Sequence, residues 1–298
     1  MKFFSVLIFS LFVSTSFALT KVNLALDWYI NPDHAPILAA ETQGYFKQNG
    51  LEVNLIQPFQ DSTARNLVVA GNATIGIDYE PEMLLAIQKG MPIKRIGTLI
   101  PTPLSCIAVL QSSGIKSLKG LKGKSIGYSG NALEAKILKT ELRHAGLSPA
   151  EVKLVPIHMD LTQALLSKTV VAVSGMMRNV EPVMLKMRGV NTTLFYPEQN
   201  GVPPYSELVF IAKKSLNPKI ASAFLKSIQE GAAYVKAHPE QSWQAAENAY
   251  HDDLATSKTI AAANHSIWLA TIPYFASNPF ELLASQEQNY KKFMLNQQ

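Results

Sequence analysis

Cysteine is nearly absent from this 298-residue sequence: Cys106 stands alone. One thiol excludes an intramolecular disulfide, a four-cysteine zinc site and a Cys-rich cluster. Charge is also sparse, at 16% of residues against 47% hydrophobic, and Gly and Pro number only 16 and 17. Such a composition excludes disordered, collagen-like and coiled-coil chains and leaves a globular protein with a sizeable core. Net charge is +5, but Lys and Arg are dispersed and Lys116 to Lys124 is the one dense basic run, so no nucleic-acid partner is expected. Catalytic signatures are missing as well: no GxSxG elbow, no GxxxxGK[ST] loop, no HExxH and no GxGxxG after a strand. His34, His144, His158, His238, His251 and His265 are scattered without metal-ligand spacing, so neither a metal nor a cofactor is expected. Cys106 sits inside an apolar run and reads as a buried hydrophobe, not a nucleophile.

Long apolar runs are missing too, with one exception at the N-terminus. Met1-Lys2 precedes the uncharged stretch Phe3 to Val13, and Ser16 and Ala18 supply small residues at a cleavage site. This pattern is that of a secretory signal cut after Ala18. The stretch is shorter than the roughly 20 apolar residues a membrane span needs. The expected mature protein is periplasmic, soluble and monomeric.

What is present is strand-helix alternation. Val22 to Leu26 reads as a strand, about 35–49 as a helix closed by Gly50, and Leu51 to Ile56 as a strand. A helix at 62–70, a strand at 73–77 and a helix at 81–89 follow. The grammar restarts with apolar 106–110, strands at 124–128, 152–156 and 170–174, and helices at 131–145 and 160–167. After a strand at 208–212 the chain reads as helical to its end. Alternation of this kind predicts α/β architecture, with mostly parallel sheets flanked by helices. Two α/β units and a helical tail predict two lobes, with Pro- and Ser-rich crossings near 101–105 and 203–206. The expected bounds are a signal at 1–18, a first lobe at 19–102, a second at 103–205, and a return to the first at 206–298.

Ligands of parallel α/β sheets sit beyond the carboxyl ends of strands. Asp27, Trp28, Asn31 and His34 follow the first strand; Asp78, Tyr79 and Glu80 follow the third; Ser129 and Asn131 follow the strand ending at Tyr128. Asn179 and Glu181 follow the strand read at 170–174, and Tyr205 lies at the return crossing. Ring faces, carboxylates and amides together suit a flat heterocycle with a polar edge. Each residue also has a structural reading: Trp28 as core, Asp27 as a turn cap, His34 as a satisfied buried imidazole, Asn131 as a helix N-cap and Glu181 as a first-turn acid.

Leu26-Asp27-Trp28, Asn31-Pro32, His34, Ala40-Glu41-Thr42-Gln43-Gly44-Tyr45-Phe46-Lys47 and Gly50-Leu51-Glu52-Val53 fit the form LxWxxxPxH…A…GYFxxxGL. Together with Ser117 to Tyr128 they resemble the thiamine-pyrimidine-precursor group of solute-binding proteins, over nearly the whole mature chain. The resemblance implies a two-lobed periplasmic-binding-protein fold of type II. It also implies a carrier that hands a pyrimidine such as formylaminopyrimidine or hydroxymethylpyrimidine to an ABC transporter permease in the inner membrane. The same family includes a eukaryotic pyrimidine synthase that consumes its own histidine and a bound pyridoxal phosphate, using a Lys after the third strand, a His four residues on and a cluster of Cys. This sequence has Asp78-Tyr79-Glu80-Pro81-Glu82 and Gly201-Val202-Pro203-Pro204-Tyr205-Ser206 in those places. Related binders carry aromatics near 175–181, where this chain has Met176-Met177-Arg178. The reading is therefore a binder in which Trp28 and Tyr79 stack on the ring. Asp27, Asn31, Glu80 and Glu181 bond its edge, and Ser129 and Asn131 touch it from the second lobe. Riboflavin, an alkanesulfonate held by Arg178, or an amine are the alternative ligands. A pyrimidine-processing enzyme with His34 as acid or base and Glu80 in support is the alternative activity.

Overall fold

A computed structural model describes residues 18–59, 62–158 and 160–295. Of the expected signal segment 1–18, residues 1–17 lie outside the described residues. Among the described residues no helix is long and apolar enough to cross a membrane.

The first sheet is begun by β1 (Thr20–Ala25), β2 (Leu51–Ile56), β3 (Ile75–Tyr79) and β4 (Ile93–Ile100). The chain then crosses to a second sheet, β5 (Ser105–Leu110), β6 (Ser125–Tyr128), β7 (Lys153–Pro156), β8 (Ala172–Met177) and β9 (Thr192–Phe195), and returns as β10 (Leu208–Lys213). Strand orders are β2-β1-β3-β10-β4 and β7-β6-β8-β5-β9, the same pattern twice. β1 pairs in parallel with β2 and β3, and β6 with β7 and β8. The strand that arrives from the other sheet, β10 or β5, is antiparallel to both its neighbours. Each sheet is thus mostly parallel, as expected, with one reversed strand, because a strand entered by a crossing has no helix to carry the chain back to the opposite end.

Helices follow the strands: α1 (Ala35–Thr42), α2 (Tyr45–Gln48), α3 (Ala64–Ala70), α4 (Glu80–Gln88), α5 (Ala132–His144), α6 (Leu161–Leu166) and α7 (Glu181–Met187). After β10 come α8 (Pro218–Ala237), α9 (Pro239–Ala249), α10 (His251–Leu254), α11 (Lys258–Thr271) and α12 (Ala284–Leu295). The helix expected over 35–49 is two, since Gly44 turns left-handed at φ +74° and restarts the chain. β3 and β8 run two and three residues beyond the expected 77 and 174, so Asp78 and Tyr79 still belong to a strand.

Alternate residues of β10 fill two cores. Leu208, Phe210 and Ala212 face α1, α8, α9 and Trp268, while Val209 and Ile211 face α3, α4 and Tyr290 of α12. Ala35 to Ala40 of α1 are all buried, as expected of a helix enclosed between sheet and helix. Gly231 of α8 permits that closeness, because a Cβ there would run into the Pro36 carbonyl.

Candidate functional site

The turn after β1 carries the densest polar geometry. Asn31 caps the short 3-10 turn Pro32–His34, accepting from the Asp33 N–H at 2.8 Å and donating to the Tyr29 carbonyl at 2.8 Å. The Asn31 N–H points at His34 Nδ1 (3.4 Å), so Nδ1 accepts and Nε2 carries the proton it donates to Asp27 Oδ1 at 3.0 Å. Tyr79 Oη donates to the other oxygen, Asp27 Oδ2, at 3.1 Å. Asp27, His34 and Tyr79 are therefore brought together, joining the ends of β1 and β3. Gln57, just past β2, holds this turn in place through the Ile30 N–H (3.0 Å) and Asp253 (2.9 Å). Trp28 and Tyr29 stay outside that network, 54% and 56% exposed, with their rings edge-on at 5.5 Å.

The second sheet meets this turn through Asn179. Its Nδ2 donates to Asp33 Oδ1 at 2.7 Å and lies 2.8 Å from Thr271 Oγ1 on α11, while its Oδ1 is buried with no partner. Burial lifts Asp33 to a pKa of about 6, with His34 pulling it down and Asp27 pushing it up. Glu181, which accepts from the Met177 N–H at 2.8 Å, is raised by burial and further by Asp33. Glu207, where the chain re-enters the first sheet, accepts from the Leu104 N–H at 2.6 Å and so ties the two crossings together. Burial lifts Glu207 to about 7, with Asp33 raising it and Arg178 lowering it. The junction of the sheets thus gathers three carboxylates, Asp33, Glu181 and Glu207, that burial raises.

Other expected contacts are engaged within the protein. Glu80 is fully buried: Oε2 accepts from the Ser206 N–H at 2.7 Å and from Arg95 at 3.2 Å. Tyr205 stacks on Tyr290 with centroids 4.5 Å apart inside the core, a place its position beside a crossing did not reveal. Asp78 binds Arg65 through two bonds of 3.0 and 2.9 Å. Asn131 is the N-cap of α5, accepting from the Glu134 N–H at 2.8 Å, and Ser129 bonds to Glu134. Arg178, the cation expected to serve a sulfonate, is clamped by Glu198 at 2.8 and 2.9 Å under the Tyr196 ring. Cys106 is buried, which pushes its thiol well up.

The sequence reading missed Asp33, Gln57, Glu134 and Glu207. Asp33 stands inside the motif between Pro32 and His34, and Glu134 follows Asn131 at the N3 position of a capping pattern, so both had a local signal. Gln57 and Glu207 had none, since their partners are distant in the chain. The residues do not fit a pyridoxal phosphate held as in the synthases: the stretch after β3 offers carboxylates paired with arginines and no amine to condense with the cofactor. Among the described residues no group of His, Cys, Asp and Glu has the geometry of a metal site.

Comparison with known proteins places this arrangement. A Haemophilus influenzae protein named for thiamine biosynthesis is 37% identical over 294 residues, covering 98% of this chain and 92% of its own. The formylaminopyrimidine-binding protein of Halalkalibacterium halodurans is 29% identical over 227 residues, 75% of this chain and 69% of its own. A 4-amino-5-hydroxymethyl-2-methylpyrimidine phosphate synthase of Legionella pneumophila is 30% identical over 230 residues, 76% of this chain and 72% of its own, so synthases of this kind are not confined to eukaryotes. Among solved structures, the periplasmic aliphatic sulphonate binding protein of Escherichia coli superposes with a TM-score of 0.70 at 14% identity, covering 92% of this chain and 86% of that one. That likeness shows a shared periplasmic-binding-protein fold. The family described as NMT1/THI5 like matches residues 31–242. With that match and the Haemophilus relative spanning almost its whole length, this chain belongs to the NMT1/THI5-like family.

Proposed function

We propose that this protein is an extracytoplasmic solute-binding protein that captures a small amino-heterocycle, a pyrimidine precursor of thiamine, and passes it to an ABC importer permease. The observation that carries the reading is the hydrogen bond from Asn179, beyond β8, to Asp33, beyond β1, beside the exposed Trp28. A ligand placed there touches both sheets at once. Its ring face would lie on Trp28, its exocyclic amino group would donate to a carboxylate, and its ring nitrogen would accept from Asn179 or from a carboxyl that keeps its proton. The lobes are 19–102 with 206–298 on one side and 103–205 on the other. They close because these contacts exist together only in the closed state, which the ligand therefore populates. The name of the Halalkalibacterium relative supports a pyrimidine as cargo.

Binding, not turnover, is the expected outcome when the protein meets its ligand. His34, the acid-base candidate, has both ring nitrogens in use, on Asp27 and on the Asn31 N–H. The test is calorimetric titration with hydroxymethylpyrimidine and formylaminopyrimidine, followed by mass analysis of the ligand. Ligand recovered unchanged from a stable complex is expected, with melting raised by about 2 °C or more at about 100 times its Kd. Product formation would favour the enzyme reading, and no binding by either pyrimidine would overturn the proposal.

A further inference from the structure

A strand-to-helix turn such as the one between β6 and α5 is a ready anion cradle, because N–H groups at the helix start lack partners and the helix dipole favours negative charge. In this protein the cradle is already filled from within. Glu134 Oε2 accepts from the Ser129 N–H at 3.0 Å and from the Ser129 hydroxyl. Asn131 holds the arrangement, accepting from the Glu134 N–H at 2.8 Å and donating to Ser129 Oγ at 2.8 Å. The other carboxylate oxygen, Oε1, is buried without a partner against Gly175, where a Cβ would collide with it. Arg178 is engaged with Glu198, and Lys136 with the Phe293 and Met294 carbonyls at 2.7 and 2.9 Å. Glu181 and the unpartnered acceptor Asn179 Oδ1, 1% exposed with its residue, follow β8 of the same sheet, and Asp27, Asp33 and Glu207 stand across the junction. Glu134 Oε1 and Asn179 Oδ1, two acceptors without a donor, ask for a ligand that brings N–H groups.

We propose that Glu134 is the specificity-determining residue of this site: an internal anion that fills the place of a ligand's phosphate, so that the protein takes an unphosphorylated amino-heterocycle and rejects its phosphate ester and sulfonates. The inference rests on the binder reading above. A phosphate brought to the α5 start would have to displace the Glu134 carboxylate, and Arg178 is already committed to Glu198. Burying charge without a partner is strongly unfavourable. The group of relatives named as phosphate synthases makes the contrast concrete, since their named product carries the phosphate that this site is built to exclude.

The test is titration of wild type, Glu134→Ala and Glu134→Gln with hydroxymethylpyrimidine, its monophosphate, inorganic phosphate and MOPS, after melting curves establish that each variant is folded. Wild type is expected to bind the alcohol about 100-fold tighter than the ester and to give no signal with phosphate or MOPS. In Glu134→Ala, which empties the cradle, the ratio should fall by at least about tenfold, and inorganic phosphate should begin to bind. Glu134→Gln keeps the shape and removes the charge, so its ratio should lie between the two. Equal or tighter binding of the ester by wild type, or a ratio unchanged in both variants, would overturn the proposal. Should wild type bind neither pyrimidine, the binder reading fails, and the inorganic phosphate arm then decides this inference alone: phosphate binding gained in Glu134→Ala supports it, and none gained refutes it.

Discussion

The turns after β1 and β6 are built from the same kinds of residue and do opposite things. Both follow a parallel central strand, both carry Asn and carboxylate, and both lead into a helix. After β6, Ser129, Asn131 and Glu134 satisfy one another within six residues of chain. After β1, Asp27 and His34 are satisfied by each other and by Tyr79, yet Asp33 reaches across to Asn179 of the other sheet while Trp28 and Tyr29 remain open. A polar residue beyond a strand is therefore a candidate contact only until its hydrogen bonds are accounted for. The junction of β3 and α4 makes the same point with ions, since Asp78 and Glu80 both have an arginine.

Breaking the satisfied side should cost stability, and breaking the open side should cost binding. The largest effect is expected from Glu80→Ala, which leaves Arg95 buried with only the half-buried Glu287 as its acid. Removal of one partner from such a pair costs about 3 kcal/mol, to be read from urea unfolding, with ligand affinity of the folded fraction unchanged. Trp28→Ala should reverse that pattern. Affinity for the pyrimidine should fall by about 10- to 100-fold, whereas the unfolding midpoint should hardly move, because the side chain is mostly exposed. A stable Glu80→Ala that no longer binds, or a Trp28→Ala that binds normally, would invert the comparison.

The carboxylates at the junction add a pH dependence of known sign. Glu207 rises from an ordinary 4.5 to about 7, and Asp33 from 3.8 to about 6, both chiefly by burial. Between those values the folded protein holds protons that the unfolded chain has released, so their contribution to stability is full in acid and is lost as pH rises through about 7. Melting temperature should fall from pH 5 to pH 8, and Glu207→Gln, which still accepts from the Leu104 N–H, should flatten that fall. The side chains facing Glu207 are Asp33, Tyr79, Arg178, Tyr205 and Tyr290, and the rise is opposed by the Leu104 and Ser105 N–H groups and by Arg178. The smallest effect is expected from Asn131→Ala: about 1 kcal/mol of stability, as for loss of an N-cap, and a ligand affinity within error of wild type. A large loss of affinity there would make Asn131 a contact instead of a cap.

Element positions were legible wherever local chemistry marks them. Asn131 starts α5, Thr63 starts α3 and Gly71 ends it at φ +86°, all within a residue or two of the expected bounds. β4 and β9 went unread. β4 has Lys94 and Arg95 interrupting its apolar pattern, and Arg95 is tolerated there only because Glu80, Thr98 and Ser206 surround it. β9 is short and half-buried throughout, which leaves little alternation to detect. In the site, the turn after β1 was recognisable from its motif, but Glu207 and Gln57 were not, because their partners Leu104 and Asp253 are 103 and 196 residues away.

The sequence by itself determined the α/β alternation, the two crossings and the cluster of ring faces and polar groups at strand ends, because periodicity, caps and glycine turns act over a few residues. Only the tertiary structure decided which of those groups remain open to a ligand. Glu80, Tyr205 and Arg178 look as available in sequence as Trp28, but the arginine, tyrosine or carboxylate that engages each of them is delivered by a different element. Desolvation makes those pairings obligatory, and they arise only once the two sheets, the crossings and α12 have packed.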